Sequence, residues 1–247
     1  MNSEKNSSGR PKRRPIGYYF LFDFVKITGA IPTLIWMRPK VYRPYGTKVP
    51  KGGVLISANH RSLVDPVIIY ATFPFKRISC LATKDLYKNK LLTFFFNHVH
   101  CIQVDKANFA ISSFRDVVTR LSLEELVAIF PEGGLNPDKE DHLQAFKSGA
   151  ILMAHRAGAQ ILPIYIVKRE KWYHRQRVVM GRPYDVCANI GKIPTMAEIN
   201  RASEDLRNME LELREYFESL PIYKKLNKNS KHTESQNGGN KKDEQTV

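Results

Sequence analysis

The amino-acid sequence predicts an α/β domain, a layered and largely parallel sheet flanked by helices, preceded by an N-terminal membrane-associated helical segment. Three observations carry this prediction. From Pro50 to Ser219, apolar runs of strand length alternate with amphipathic stretches of helical period, the pattern of a sheet whose crossovers are helices. The stretch Tyr18 to Met37 is apolar and long enough to meet a lipid core about 30 Å thick. A composition of 43% hydrophobic and 26% charged residues over 247 positions supports one sizeable core and excludes a mainly disordered chain.

Taken in order, Met1 to Pro15 is polar, carries Lys5, Arg10, Lys12, Arg13 and Arg14, and has no apolar face, so residues 1–15 read as a disordered basic arm. Residues 16–39 form the membrane-associated segment. Spanning is opposed by Asp23 and Lys26, each costing on the order of 3 kcal/mol at mid-bilayer, and by Pro32, which interrupts a helix. Basic residues flank the segment on both sides, Arg10 to Arg14 before it and Arg38, Lys40 and Arg43 after it. The positive-inside rule then holds both ends on the cytoplasmic side, which fits a helix, a break and a helix lying in one leaflet of the membrane. A buried core helix pair and a cleaved signal peptide are the rival readings; the small-residue cleavage site that the latter needs is missing.

Within residues 40–226, strands are expected at Val54–Ala58, Ile78–Ala82, His100–Val104, Leu126–Phe130, Ile161–Val167 and Arg177–Met180. Helices are expected at Pro66–Thr72, at Phe109–Leu121, at Phe146–Arg156 with Gly158 as its stop, and at Met196–Ser219. The last has Ile199, Leu206, Met209, Leu213 and Phe217 on one face. Residues 227–247 are too polar to bury a core and read as a disordered tail.

Lys and Arg total 39 against 24 Asp and Glu, a net charge of +15 that draws the protein to polyanions, with nucleic acid and anionic lipid the main classes. No nucleic-acid motif accompanies the charge, and Phe94-Phe95-Phe96 lies in an apolar run that suits a core or an acyl-chain tunnel better than a base-stacking platform. Cys80, Cys101 and Cys187 stand far apart without a C-x-x-C pair, so neither a disulfide framework nor a zinc site is expected, and a reducing cytoplasmic setting fits. His98 and His100 lack an H-E-x-x-H pattern, and no metal site is expected.

Ligands of parallel α/β sheets collect where strands end. His60 directly follows one predicted strand, and Asp65 stands just before a helix. A histidine that accepts a proton near neutral pH, with a carboxylate fixing its tautomer, is the base half of a hydrolase triad without the nucleophile, and it suits a substrate that brings its own hydroxyl. Asp65 followed by Pro66 is equally a helix N-cap with proline at the first helical position. At a second strand end, Glu132 is followed by Gly133 and Gly134, which admit close approach of a ligand or simply form a turn.

Asn59-His60-x4-Asp65 followed by Phe130-Pro131-Glu132-Gly133 resembles the signature of the glycerolipid acyltransferase superfamily, the 1-acylglycerol-3-phosphate O-acyltransferases and other lysophospholipid acyltransferases. The likeness extends over roughly Lys40 to Pro183, through Cys101-Ile102-Gln103-Val104-Asp105-Lys106, Ile161-Leu162-Pro163-Ile164 and Phe146-Lys147-Ser148-Gly149-Ala150. It implies an acyltransferase domain over 40–226 that acylates 1-acylglycerol 3-phosphate, with His60 as general base and Asp65 holding it. It further implies Asn59, Arg61, Lys84, Lys106, Glu132 and Gly133 at the substrate, acyl-CoA or an acyl-carrier protein as donor, and no cofactor. The expected partners are a lysophospholipid acceptor and the phospholipid surface, at the cytoplasmic face of the membrane as a peripheral or monotopic protein, and no nucleic acid.

Two departures from the family pattern bear on the acceptor. Asp105-Lys106 stands where Asp-Arg is usual, and Glu132-Gly133-Gly134-Leu135-Asn136 where E-G-T-R-S is usual. Lysine keeps the charge without the planar fork, and Leu135 supplies none. Another lysophospholipid, glycerol 3-phosphate or an amino-acid-containing lipid is therefore the second acceptor reading. A non-enzymatic basic module that binds membrane or nucleic acid explains the charge but not the two motifs.

Overall fold

The computed structural model describes residues 32–74, 76–83, 101–104, 111–136, 142–169, 174–224 and 226, with Phe20 and Phe24. The basic arm, most of the apolar segment, Lys84, Phe94 to Phe96, Lys106 and the C-terminal tail lie outside the described residues.

Among those residues the strands are β1 (Lys40–Tyr42), β2 (Val54–Ala58), β3 (Ile78–Thr83), β4 (Ile102–Val104), β5 (Leu126–Ile129), β6 (Gln160–Ile166) and β7 (Arg177–Met180). They form one seven-stranded sheet in the order β1-β7-β6-β2-β5-β3-β4. The helices are α1 (Asp65–Thr72), α2 (Ile111–Ser122), α3 (Gly149–Ala157), α4 (Val186–Asn189) and α5 (Met196–Ser219). β2 to β6 run parallel, whereas β7 runs antiparallel to β6 and carries β1 parallel to itself.

All five residues of β2 are buried because the sheet is covered on both faces. Leu55 packs with Val117 and Leu121 of α2, Ile151 and Ala154 of α3, and Ile199 and Leu206 of α5. Its neighbour Ile56 faces the other way, toward Ile68 and Ile69 of α1 and toward Met37. That alternation turns a continuous apolar run into two cores.

The expected strands and helices are present with small shifts, and two elements are additional. β1 is three residues between Pro39 and Pro44, too short for a hydrophobic period, and exists because β7 offers it an edge. α4 is a single turn capped by the Asp185 carboxylate, which accepts from Ala188 N at 3.1 Å. The helix expected from Phe146 begins at Gly149 instead, because Lys147 N donates to Pro131 O across the sheet edge. α3 ends as expected at Gly158, whose φ of 63° is the left-handed cap.

Residues 32–37 are helical, and Met37 is fully buried in the core under β2, so the end of the apolar segment is tied to the domain. No described helix is long and apolar enough to cross a membrane.

The fold sets the site through one pairing. β2 and β5 are hydrogen-bonded neighbours with Ser57 opposite Ile129, so the residues that follow each strand emerge side by side.

Candidate active site

His60 leaves the end of β2 with its ring stacked on Phe130, which leaves the end of β5; the centroids are 4.0 Å apart and the planes 16° from parallel. Its Nδ1 lies 3.0 Å from Asp65 Oδ2, and only 3% of the Asp65 side chain is exposed, against 16% for His60. An ionised carboxylate only accepts, so Nδ1 carries the proton and donates it, which leaves Nε2 as the acceptor. Asp65 Oδ2 also accepts from the backbone N–H of Arg61 and of Ser62, each at 2.7 Å.

Those donors decide between the two readings of Asp65. Val64 occupies the N-cap position without a side-chain cap, and Asp65 is the first residue of α1 with Pro66 beside it. Its carboxylate turns back onto the loop that carries His60, not forward onto the helix. Asp65 is a loop organiser and a histidine partner, and the capping expectation is set aside.

Glu132 joins this loop to the β5–α3 connection. It is 5% exposed. Oε1 accepts from His60 N at 3.0 Å, and Oε2 accepts from Asn136 Nδ2 at 2.8 Å and Gln144 N at 3.1 Å. Asn136 closes the circuit, its N–H donating to His60 O at 2.7 Å and its side chain to His142 O at 2.6 Å. Asn59, expected at the substrate, is fully buried; its Nδ2 donates to Ile166 O at 3.1 Å and its Oδ1 accepts from Ile166 N at 2.7 Å. Both ends of that amide extend the β2·β6 ladder past its last strand pair, which corrects its placement at the substrate.

Gly133 has φ of 76°, a left-handed turn that glycine adopts at no steric cost, and the Lys147 side chain lies across it. A Cβ at Gly133 would stand 2.5 Å from Lys147 Cε and 2.6 Å from Nζ. Among the described residues no three His, Cys, Asp or Glu side chains converge as a metal site requires.

A protein-family model described as acyltransferase matches residues 41–167, just over half of the chain. The chain belongs to this acyltransferase family. The matched span runs from β1 into the loop after β6 and contains every residue of the site just described. A 1-acyl-sn-glycerol-3-phosphate acyltransferase of Bacillus subtilis (strain 168) is 25% identical over 177 residues, 68% of this chain and 84% of the relative. A probable 1-acyl-sn-glycerol-3-phosphate acyltransferase of Mycoplasma pneumoniae is 28% identical over 180 residues, 67% of this chain and 62% of the relative. Among solved structures, the 1-acyl-sn-glycerophosphate (LPA) acyltransferase PlsC of Thermotoga maritima superposes with a TM-score of 0.59 over 82% of each chain at 17% identity, a likeness of fold. The protein is an enzyme of the acyltransferase type.

Of the residues expected at the acyltransferase site, His60, Asp65, Arg61, Glu132 and Gly133 come together at one sheet edge, whereas Lys84 and Lys106 lie outside the described residues. Burial pushes the Cys80 thiol up to about 12 and raises Cys101 further, as in structural rather than reactive cysteines. Three participants escape the sequence reading. Gln144 contributes only a backbone N–H, which no side chain advertises. Asn136 reads as a turn residue. Glu210, whose Oε1 accepts from Ser57 Oγ just before the His60 loop, leaves a signal, since a carboxyl falls among Leu206, Leu213 and Phe217 on the buried stripe of α5.

The Glu132 circuit makes a direct forecast. In Glu132→Gln an NH2 group must replace one oxygen, and whichever it replaces, a donor then faces an N–H donor. Urea unfolding should show a loss of about 1.5–3 kcal/mol, the range for hydrogen bonds to a charged group. An unchanged unfolding midpoint would remove Glu132 from the frame of the site.

Proposed function

We propose that this acyltransferase transfers an acyl group from an acyl thioester, acyl-CoA or an acylated carrier protein, to the free hydroxyl of 1-acylglycerol 3-phosphate. The observation that carries the reading is the His60–Asp65 pair, because the buried carboxylate leaves Nε2 as the only ring nitrogen able to take a proton. His60 Nε2 removes the proton of the acceptor hydroxyl, and the oxygen attacks the thioester carbonyl carbon. As the tetrahedral intermediate collapses, the carbon–sulfur bond breaks and the leaving thiolate takes the proton from His60. Asp65 stabilises the imidazolium formed between these steps. His60→Ala should lower kcat by at least about a hundredfold, the lower end of a general base's contribution, with an unchanged melting temperature. Near-full turnover in that variant would exclude the role.

Phosphate recognition rests on lysine in this reading. Leu135, where the family pattern has arginine, is 46% exposed and offers no charge. Lys147 reaches the same turn from the neighbouring loop and lies on Gly133, with Lys84 and Lys106 as further cations. Glu132, whose two oxygens already accept three N–H groups, acts by fixing the turn rather than by touching the acceptor. Lys147→Ala should raise KM for lysophosphatidic acid on the order of tenfold or more, as expected from about 1.5–3 kcal/mol for one charged hydrogen bond. A neutral-headed lysolipid should be unaffected, and equal losses on both acceptors would sink the assignment.

The site faces the lipid in which its substrates dissolve. β1 begins at Lys40 opposite Arg177, and β7 begins beside the end of β6, so residues 32–39 share the edge on which His60 lies. That edge exposes Ile35, Trp36, Leu63 and Val67, and the Arg169 guanidinium lies over the Trp36 ring at 4.5 Å. Apolar side chains interleaved with arginine suit an anionic membrane surface. Co-sedimentation with anionic vesicles should weaken as salt rises from about 0.05 to 0.5 M, over which the Debye length shrinks severalfold. Salt-independent binding would assign the contact to the apolar residues alone.

A further inference from the structure

α5 lies outside the span matched by the family model, yet two of its residues, three apart on one face, reach the loops of the active site. Arg207 donates from Nε and Nη2 to Leu143 O and from Nε to Gln144 O, at 3.0–3.3 Å, on the segment whose Gln144 N–H holds Glu132. Glu210 is fully buried, and its Oε1 accepts from Ser57 Oγ at 2.6 Å. Ser57 is likewise fully buried and lies two residues before Asn59 and three before His60 on β2. The second oxygen of Glu210 is buried without a hydrogen-bond partner. A carboxyl at a position that the helical period assigns to the core weakens packing and leaves a polar atom unmet, so its presence there calls for a role other than stability.

We propose that Glu210 is a positioning residue of the active site that holds the end of β2 through Ser57 so that His60 meets Asp65 and Glu132. The surroundings favour the neutral form. Burial first, and then the nearby Glu132 carboxylate, raise the Glu210 carboxyl far above the usual range, against the opposing pull of the Ser57 hydroxyl. Glu132 meets three N–H donors and Glu210 one hydroxyl, so Glu210 is the carboxyl less supported as an anion. The other polar groups on packed elements have partners of their own. On α5, Arg207 is turned to the carbonyls of the 143–144 loop and Arg214 to Glu218; on α3, His155 bonds Gly191 O; on β6, Tyr165 packs with Leu213 and Phe217. Ionisation of Glu210 would place a second negative charge behind Glu132 and loosen the bond from His60 N.

This inference rests on the reaction assigned above, and its test has one arm that does not. Glu210→Gln mimics the neutral acid, and Glu210→Leu fills the space without a hydrogen bond. With a long-chain acyl-CoA and lysophosphatidic acid at pH 7, the glutamine variant should match the wild type in kcat and KM. The leucine variant should lose kcat on the order of tenfold with little change in KM, less than the roughly hundredfold cost of fully misplacing a catalytic group. A leucine variant with wild-type kcat, or a glutamine variant that loses as much kcat as the leucine variant, would overturn the proposal.

The independent arm is thermal melting. An acid kept protonated in the fold holds a proton that the unfolded chain has lost above the ordinary value of 4.5, so wild-type stability falls as pH rises through that region. The melting temperature of Glu210→Gln should exceed that of the wild type by a margin that widens from pH 5 to pH 8. A constant margin would overturn the neutral-acid assignment whether or not acyl transfer is observed, whereas an inactive wild type with a widening margin would overturn the assigned reaction alone.

Discussion

The carboxylate of Glu132 is withdrawn from water at the end of a central strand, where an ionised group left unmet would cost several kcal/mol. Three N–H donors meet it: the backbone of His60, the side chain of Asn136 and the backbone of Gln144. One donor comes from the loop after β2 and two from the β5–α3 connection that carries Glu132 itself, so satisfying one carboxylate fixes the two loops relative to each other and folds the second back on itself. Any shift of the His60 loop leaves an oxygen of Glu132 short of a partner, and the Asn136 N–H to His60 O bond closes the arrangement from the other side. The site is rigid because a buried charge admits few geometries in which every lone pair is met.

Three buried carboxyls share this end of the sheet, and their surroundings divide the work. Asp65 has two backbone N–H groups and an imidazole N–H on one oxygen, which ties the histidine to the loop that carries it. Glu132 is equally well supplied, but by donors that define loops. Glu210 has a serine hydroxyl and one unmet oxygen, which is the environment of a neutral acid. One side-chain chemistry thus serves to orient a histidine, to staple loops and to brace a strand, according to the donors each carboxyl meets.

The edge that carries these groups is also where the outer strands reverse direction. Because β7 returns antiparallel to β6 and β1 follows it, the residues before β1 are brought to the edge on which β2 and β5 end. The exposed Trp36 and its arginine neighbour therefore lie on the same edge as His60 and the turn at Gly133 and Lys147. The apolar edge and the geometry around His60 follow from one topological choice.

What the sequence determined by itself was local. The period of its apolar residues placed the central strands and the long helices, because a buried strand or an amphipathic helix must show its pattern in the chain. The two motifs located His60, Asp65 and Glu132, because the residues at strand ends in such a sheet are those that chemistry can reach. Tertiary structure decided which groups those residues meet. Asp65 read equally as a helix cap and as a partner of His60 until the fold turned its carboxylate back onto Arg61 and Ser62. Asn59 read as a substrate ligand until β6 brought Ile166 to both ends of its amide. Gln144 contributes a backbone N–H and Glu210 a carboxyl from a distant helix, and a hydrogen bond between remote segments leaves no periodic trace in the chain. Sequence records what a residue can offer, whereas the partner that accepts the offer is set by long-range packing.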